Sequence, residues 1–177
     1  MDRTRDLAQG LSRIENKLGS FVTVRITPTS FAGTTDAQSQ VLFNPTEIPN
    51  VMRTEGGAAL LKSISIVDYD DNTNDDYELY FSQKGTNDLG TLGAVIDITD
   101  AELLANKSLG WVGVAGVADN AIGDMVLSRV LTATNLDLVV QAEGDSRSIF
   151  VGGVCGTAAT VSTAAGTEII LGFQLLV

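Results

Sequence analysis

From residue 60 onward the chain is written in short runs of alternating apolar and polar side chains, with glycine, asparagine, aspartate and serine between them. Alternation with period two sends successive side chains to opposite faces of a strand. The runs fall at 60–67, 77–81, 95–98, 111–114, 125–131, 136–140, 149–154 and 169–177. In the second, Tyr77, Leu79 and Phe81 share one face, with Glu78 and Tyr80 on the other. In the sixth, Asp137 points outward, and in the last, Ile169, Leu171, Phe173, Leu175 and Val177 line up together. So many short strands imply a mainly β chain: a single β-sandwich, jelly-roll-like, of about eight antiparallel strands. One short inserted helix is expected at 99–104, capped by Thr99 or Asp100.

The first twenty residues follow a different period. Leu7, Leu11, Ile14 and Leu18 recur at spacings of four, three and four, one apolar stripe on an N-terminal amphipathic helix that Gly19 ends. Asp2 or Thr4 is placed to cap its start. A helix this short is marginal alone, so its stripe must pack on this body, on a sister subunit or on a foreign surface. After Gly19 the alternation Val22, Val24, Ile26 marks a strand. All three prolines, Pro28, Pro45 and Pro49, then fall in 27–58 and suggest a long loop with one short strand at 41–43. The expected organisation is a helical arm over 1–20, an extended strand-and-loop arm over 21–58, and a β-sandwich body over 59–177.

Several function classes are closed by composition. The 177 residues contain no histidine, the commonest general base and metal ligand, and a single cysteine, Cys155, which reads as a small buried hydrophobe. No catalytic residue and no cofactor is expected. A net charge of −11 argues against nucleic acid, and no apolar stretch reaches membrane-spanning length. Without a signal-like start, the chain is expected to be made in a host cytoplasm. The charge is uneven: residues 1–20 hold four bases against three acids, a net of +1, and the remaining seven bases and nineteen acids give −12. A slightly basic arm on an acidic body is suited to docking by the arm. Leu7, Leu11, Ile14 and Leu18 with flanking Arg13 are the candidate partner-binding residues, apolar anchors with a polar rim.

Three local motifs need weighing. The acidic stretch 68–78 offers five Asp, two Asn and a Glu, ligands suited to calcium, but counted from Asp68 the sixth and twelfth positions are Thr73 and Leu79, not the Gly and Glu of an EF-hand loop. A solvated turn between strands explains it as well. Gly144-Asp145-Ser146 resembles the nucleophile motif of the GDSL hydrolases, yet it sits late in a chain without the histidine such a serine needs, and it reads as a turn. Asn106-Lys107-Ser108 fits the glycosylation pattern in a chain with no visible secretory route.

The stretch 57–68 (GAALLKSISIVD), the acidic turn and Tyr77-Glu78-Leu79-Tyr80-Phe81 resemble small virion proteins of tailed bacteriophages. Leu89-Gly90-Thr91, the Asp-led helix 98–102, Leu136-Asp137-Leu138 and Ser148-Ile149-Phe150-Val151 fit the same pattern. The resemblance covers about the last two thirds of the chain. It implies a head decoration, or cement, protein: a β-sandwich, often a homotrimer, on the exterior of the capsid and bound to the major capsid protein. An alternative is a receptor- or glycan-binding module of a phage tail or fibre, with calcium in the acidic loop.

Overall fold

The computed structural model describes residues 20–35, 37–69, 76–115, 129–156, 161–162 and 166–176. The strands are β1 (Phe21–Ile26), β2 (Thr34–Thr35), β3 (Val41–Ile48), β4 (Ala58–Asp68), β5 (Tyr77–Ser82), β6 (Ser108–Val114), β7 (Arg129–Gln141), β8 (Ile149–Cys155), β9 (Val161–Ser162) and β10 (Thr167–Leu175), with helix α1 (Asp100–Asn106) before β6. Two four-stranded sheets, ordered β1-β10-β4-β7 and β3-β8-β5-β6, stack face to face, and β2 pairs with β9.

That order has a simple generator. Setting aside the two-residue strands, the eight long strands pair antiparallel as first with eighth, second with seventh, third with sixth and fourth with fifth. They form one long hairpin. Rolling it up sets β10 beside β4 and β8 beside β5, again antiparallel. This is the jelly-roll wrap.

The core between the sheets is built from the inward side of each alternation: Leu61, Ile64, Ile66, Ile169, Leu171 and Phe173 from one sheet, Phe43, Ile48, Leu79, Phe81, Ile149 and Val151 from the other. Beyond it the sheets differ. The outer face of β3-β8-β5-β6 is covered by the β5–β6 connection, residues 83–107, where Leu89, Leu92, Ile96, Ile98 and Leu103 pack on Val41, Tyr80 and Val154. Gly152 and Gly153 allow both covers at once: a Cβ at Gly153 would lie 2.2 Å from the Phe43 ring, and one at Gly152 would lie 2.7 Å from Leu89.

Several sequence expectations change. The strand expected at 95–98 is absent; Val95 makes only an isolated bridge to Gln40, and Ile96 and Ile98 are apolar because they lie on a sheet, not in one. The strand expected at 41–43 runs to Ile48. It passes Pro45 because β3 is an edge strand whose register shifts between Phe43 and Thr46. Residues 21–58 contain β1 and β3, one edge strand of each four-stranded sheet. The strands expected at 125–131 and 136–140 join in β7, where Asn135 takes a left-handed φ of 59° at a register shift; residues 125–128 lie outside the described residues. Cys155 is buried as read, and Thr99 is the cap of α1.

Candidate interaction surface

The candidate partner-binding residues Leu7, Leu11, Arg13, Ile14 and Leu18 lie outside the described residues. What is placed is the point where their segment joins the body. The Ser20 carbonyl accepts the Leu175 amide at 2.9 Å, and its hydroxyl is bonded to Arg53 at 2.9 Å. The chain therefore enters beside the end of β10.

That entry lies at a densely bonded end of the sandwich, where the β3–β4 and β7–β8 connections are tied together. The Gly56 amide donates to the Glu143 and Ser146 carbonyls, Met52 exchanges two bonds with Arg147, and the Asn50 amide reaches the Ser148 hydroxyl at 3.2 Å. Glu143 also binds Lys107 at 2.6 Å and Lys84 at 3.4 Å, so one carboxylate clasps both ends of the β5–β6 connection. The Lys107 hydrogen bond holds the Glu143 carboxyl below its ordinary value of 4.5. In the same connection, the Thr99 amide and then its hydroxyl do the same for Glu102, whose carboxylate completes a capping box at the start of α1.

The outer face of β1-β10-β4-β7, which no described element covers, mixes ion pairs with apolar side chains. Away from the entry Arg25 pairs with Glu168, Lys62 with Asp137, and Ser65 faces Thr132, with the half-buried Ile170, Val67 and Val130 among them. At the entry end the register aligns Phe21, Gln174, Leu60 and Val139 in one row across all four strands. Phe21 is 72% and Val139 57% exposed, and Leu176, next along, is 41% exposed. The two ion pairs cancel their own charges. On a chain of net −11 this gives a nearly neutral face with an apolar rim.

The other motifs supply no reacting constellation. A cleft of about 620 Å³ beside the β5–β6 connection is lined by Asn44, Asn87, Asp88, Asp97 and Glu102 among others. The Asn44 carboxamide bonds to the Leu89 amide and the Gly90 carbonyl, that of Asn87 donates to the Glu102 carbonyl, and the Glu102 carboxylate is committed to the cap. Among the described residues no group of three or more His, Cys, Asp or Glu is arranged to hold a metal, and no helix is long and apolar enough to cross a membrane. Of the acidic stretch, residues 70–75 lie outside the described residues. Asp68 points inward, fully buried, and accepts the Tyr77 hydroxyl at 2.9 Å. The residues 144–146 form the β7–β8 turn, with the Ser146 amide donating to the Glu143 carbonyl. Asn106 is buried, its side chain bonded to the Asn87 backbone, and so is withdrawn from glycosylation. Trp111 is 42% exposed and packs on Tyr80 with ring centroids 4.9 Å apart. The alternation gave no sign of this row, because Phe21, Leu60 and Val139 are distant in sequence and are aligned only by the strand order.

No protein-family model and no curated protein matches the chain. Solved structures to which the chain shows a distant similarity include Desmodium yellow mottle tymovirus (9% identity, 90% of each chain, TM-score 0.28) and sacbrood virus of honeybee in expansion state II (7%, 90% of this chain and 82% of that one, 0.31). The infectious bursal disease virus VP2 subviral particle is a third, at 9% identity and TM-score 0.34, with 89% of this chain spanning 37% of the other. The strand order, not these distant similarities, defines the fold.

Proposed function

We propose that the chain is a structural virion protein that decorates and stabilises the exterior of a phage capsid by binding the major capsid protein, acting as a homotrimer and without catalysis. The observation that carries the reading is the strand order. The jelly roll recurs in viral capsid and lectin domains and in cupins, so the fold narrows the choice without making it. A cupin-like centre is disfavoured, because the space between the sheets is filled by Phe43, Phe81, Phe173, Leu61 and Ile64 and the chain has no histidine. Between the other two, the resemblance of 57–68 and 77–81 to phage virion proteins favours the capsid. Affinity would come from modest apolar contacts multiplied over several subunits, with Leu7, Leu11, Ile14 and Leu18 as anchors and Arg13 at the rim.

The test is co-sedimentation with expanded capsids, using the full chain and a chain lacking residues 1–20, with the solution mass of each by light scattering. A bound, trimeric full chain and a truncated chain that keeps its β circular dichroism but binds weakly is the expected result. Equal binding by both removes the arm from the contact, and no binding by the full chain to any capsid overturns the reading. A second reading, a glycan- or receptor-binding module of a tail or fibre, rests on the half-exposed Trp111 beside Tyr80. It predicts sugar-dependent quenching of the single tryptophan.

A further inference from the structure

Each four-stranded sheet has two edges, and the fold protects all but one of them. β3 carries Pro45, its Leu42 carbonyl accepts the Phe31 amide, and its Val41 exchanges bonds with residues 93–94. β6 and β7 lie against each other, a Cβ at Gly110 falling 3.2 Å from Leu138, and β7 breaks register at the left-handed Asn135. β1, Phe-Val-Thr-Val-Arg-Ile, has no proline, glycine or bulge. The direction of its backbone groups follows from one bond. The Leu175 amide donates to the Ser20 carbonyl, and bonded and non-bonded pairs alternate along an antiparallel ladder. Val22, Val24 and Ile26 therefore bond to β10, whereas Phe21, Thr23 and Arg25 turn their amides and carbonyls to the open edge, where no bond from a described segment reaches them. On the core side, Val22 and Val24 pack on the interior yet stay only half buried. We propose that a second copy of the chain fills this edge, β1 against β1, antiparallel about a two-fold axis at Thr23. The strand is self-complementary in that register. Val22 meets the partner's Val24 on the core side, Thr23 meets the partner's Thr23, and exposed Phe21 lies opposite the stem of the partner's Arg25. Charge selects the same edge. Two chains of net −11 repel, but residues 20–27 hold no acid, and Arg25 balances Glu168 of β10.

The contact is independent of the virion reading. Being two-fold, it pairs chains of neighbouring assemblies and does not build the trimer proposed above, and its test reads β1 amides, not capsid binding, so either can fail alone. The experiment is amide hydrogen exchange by NMR on the full chain, with solution mass by light scattering, across about a hundredfold dilution. At the concentrated end the mass should double, and the amides of Phe21, Thr23 and Arg25 should exchange about tenfold or more slowly than at the dilute end, while those of Val22, Val24 and Ile26 stay protected throughout. Thr23→Pro removes a donor that β10 does not use, so it should keep the β circular dichroism and abolish the doubling. Fast exchange of the Thr23 amide at every concentration overturns the pairing. Doubling that persists in Thr23→Pro overturns it in favour of a contact elsewhere. Protection of Phe21 and Arg25 that survives both dilution and Thr23→Pro overturns it in favour of a cover from the same chain.

Discussion

Among the described glycines, Gly153 carries the tightest steric constraint. Its missing side chain admits Phe43 to the core, so Gly153→Val drives two methyl groups into a ring with nowhere to move. Overpacking of this kind costs about 1–3 kcal/mol, and we expect a loss at or above the top of that range in urea denaturation, with a smaller loss for Gly152→Ala, whose neighbour is the tip of Leu89. Tyr77→Phe removes a donor from the buried Asp68 carboxylate, and its expected cost is about 1–3 kcal/mol by the same measurement. At this scale the sequence is partly legible. Cys155 and Phe173 declared their burial by apolar company, but Tyr80 and Asp68 did not. Alternation assigns Tyr80 to an outer face without revealing that another segment covers that face, and Asp68 opens an acidic run that reads as solvated, yet it is buried and accepts the Tyr77 hydroxyl.

The β5–β6 connection is the element most dependent on charge, because Glu102 and Glu143 fix its helix and its two ends. Both carboxyls titrate below 4.5 in the folded chain, so the unfolded form binds protons more readily. Their contribution is therefore complete above the unfolded value and is lost as pH falls through the depressed folded values. Hydrogen exchange, corrected for its intrinsic pH dependence, should show residues 83–107 losing protection below about pH 4.5 before β4 and β10 do. Glu143→Gln should flatten that dependence, and its failure to do so would remove the clasp from the explanation. Thr99→Ala should cost about 1 kcal/mol through the lost cap. The helix was legible because Thr99 and Asp100, both good caps, open the run 99–104; the Glu102 partner emerges only in the structure. The neighbouring 95–98 was not, since an apolar run reads alike whether it sits in a sheet or on one.

Across the whole molecule, the class of fold follows from alternation and turn spacing, while the order of strands leaves no local trace. Pairing β1 with β10 joins residues near 21 to residues near 174, and nothing near either end announces the other. The two sheets are unequal partners: one is covered on both faces, and the other presents a nearly neutral outer surface with an apolar rim on an otherwise acidic body. The hairpin wrap also dictates a timetable. Its apex, β5 with β6, closes the shortest of the four loops, residues 83–107, and each pair further out waits for a longer one, a topology that folds in about milliseconds to seconds where local folds take microseconds. During synthesis β1 leaves the ribosome first and its only long-strand neighbour, β10, leaves last. Between the emergence of β1 and that of β10, then, the edge carrying Phe21 is an unpaired strand in search of a partner, and the cell must bridge that interval before the sandwich can close.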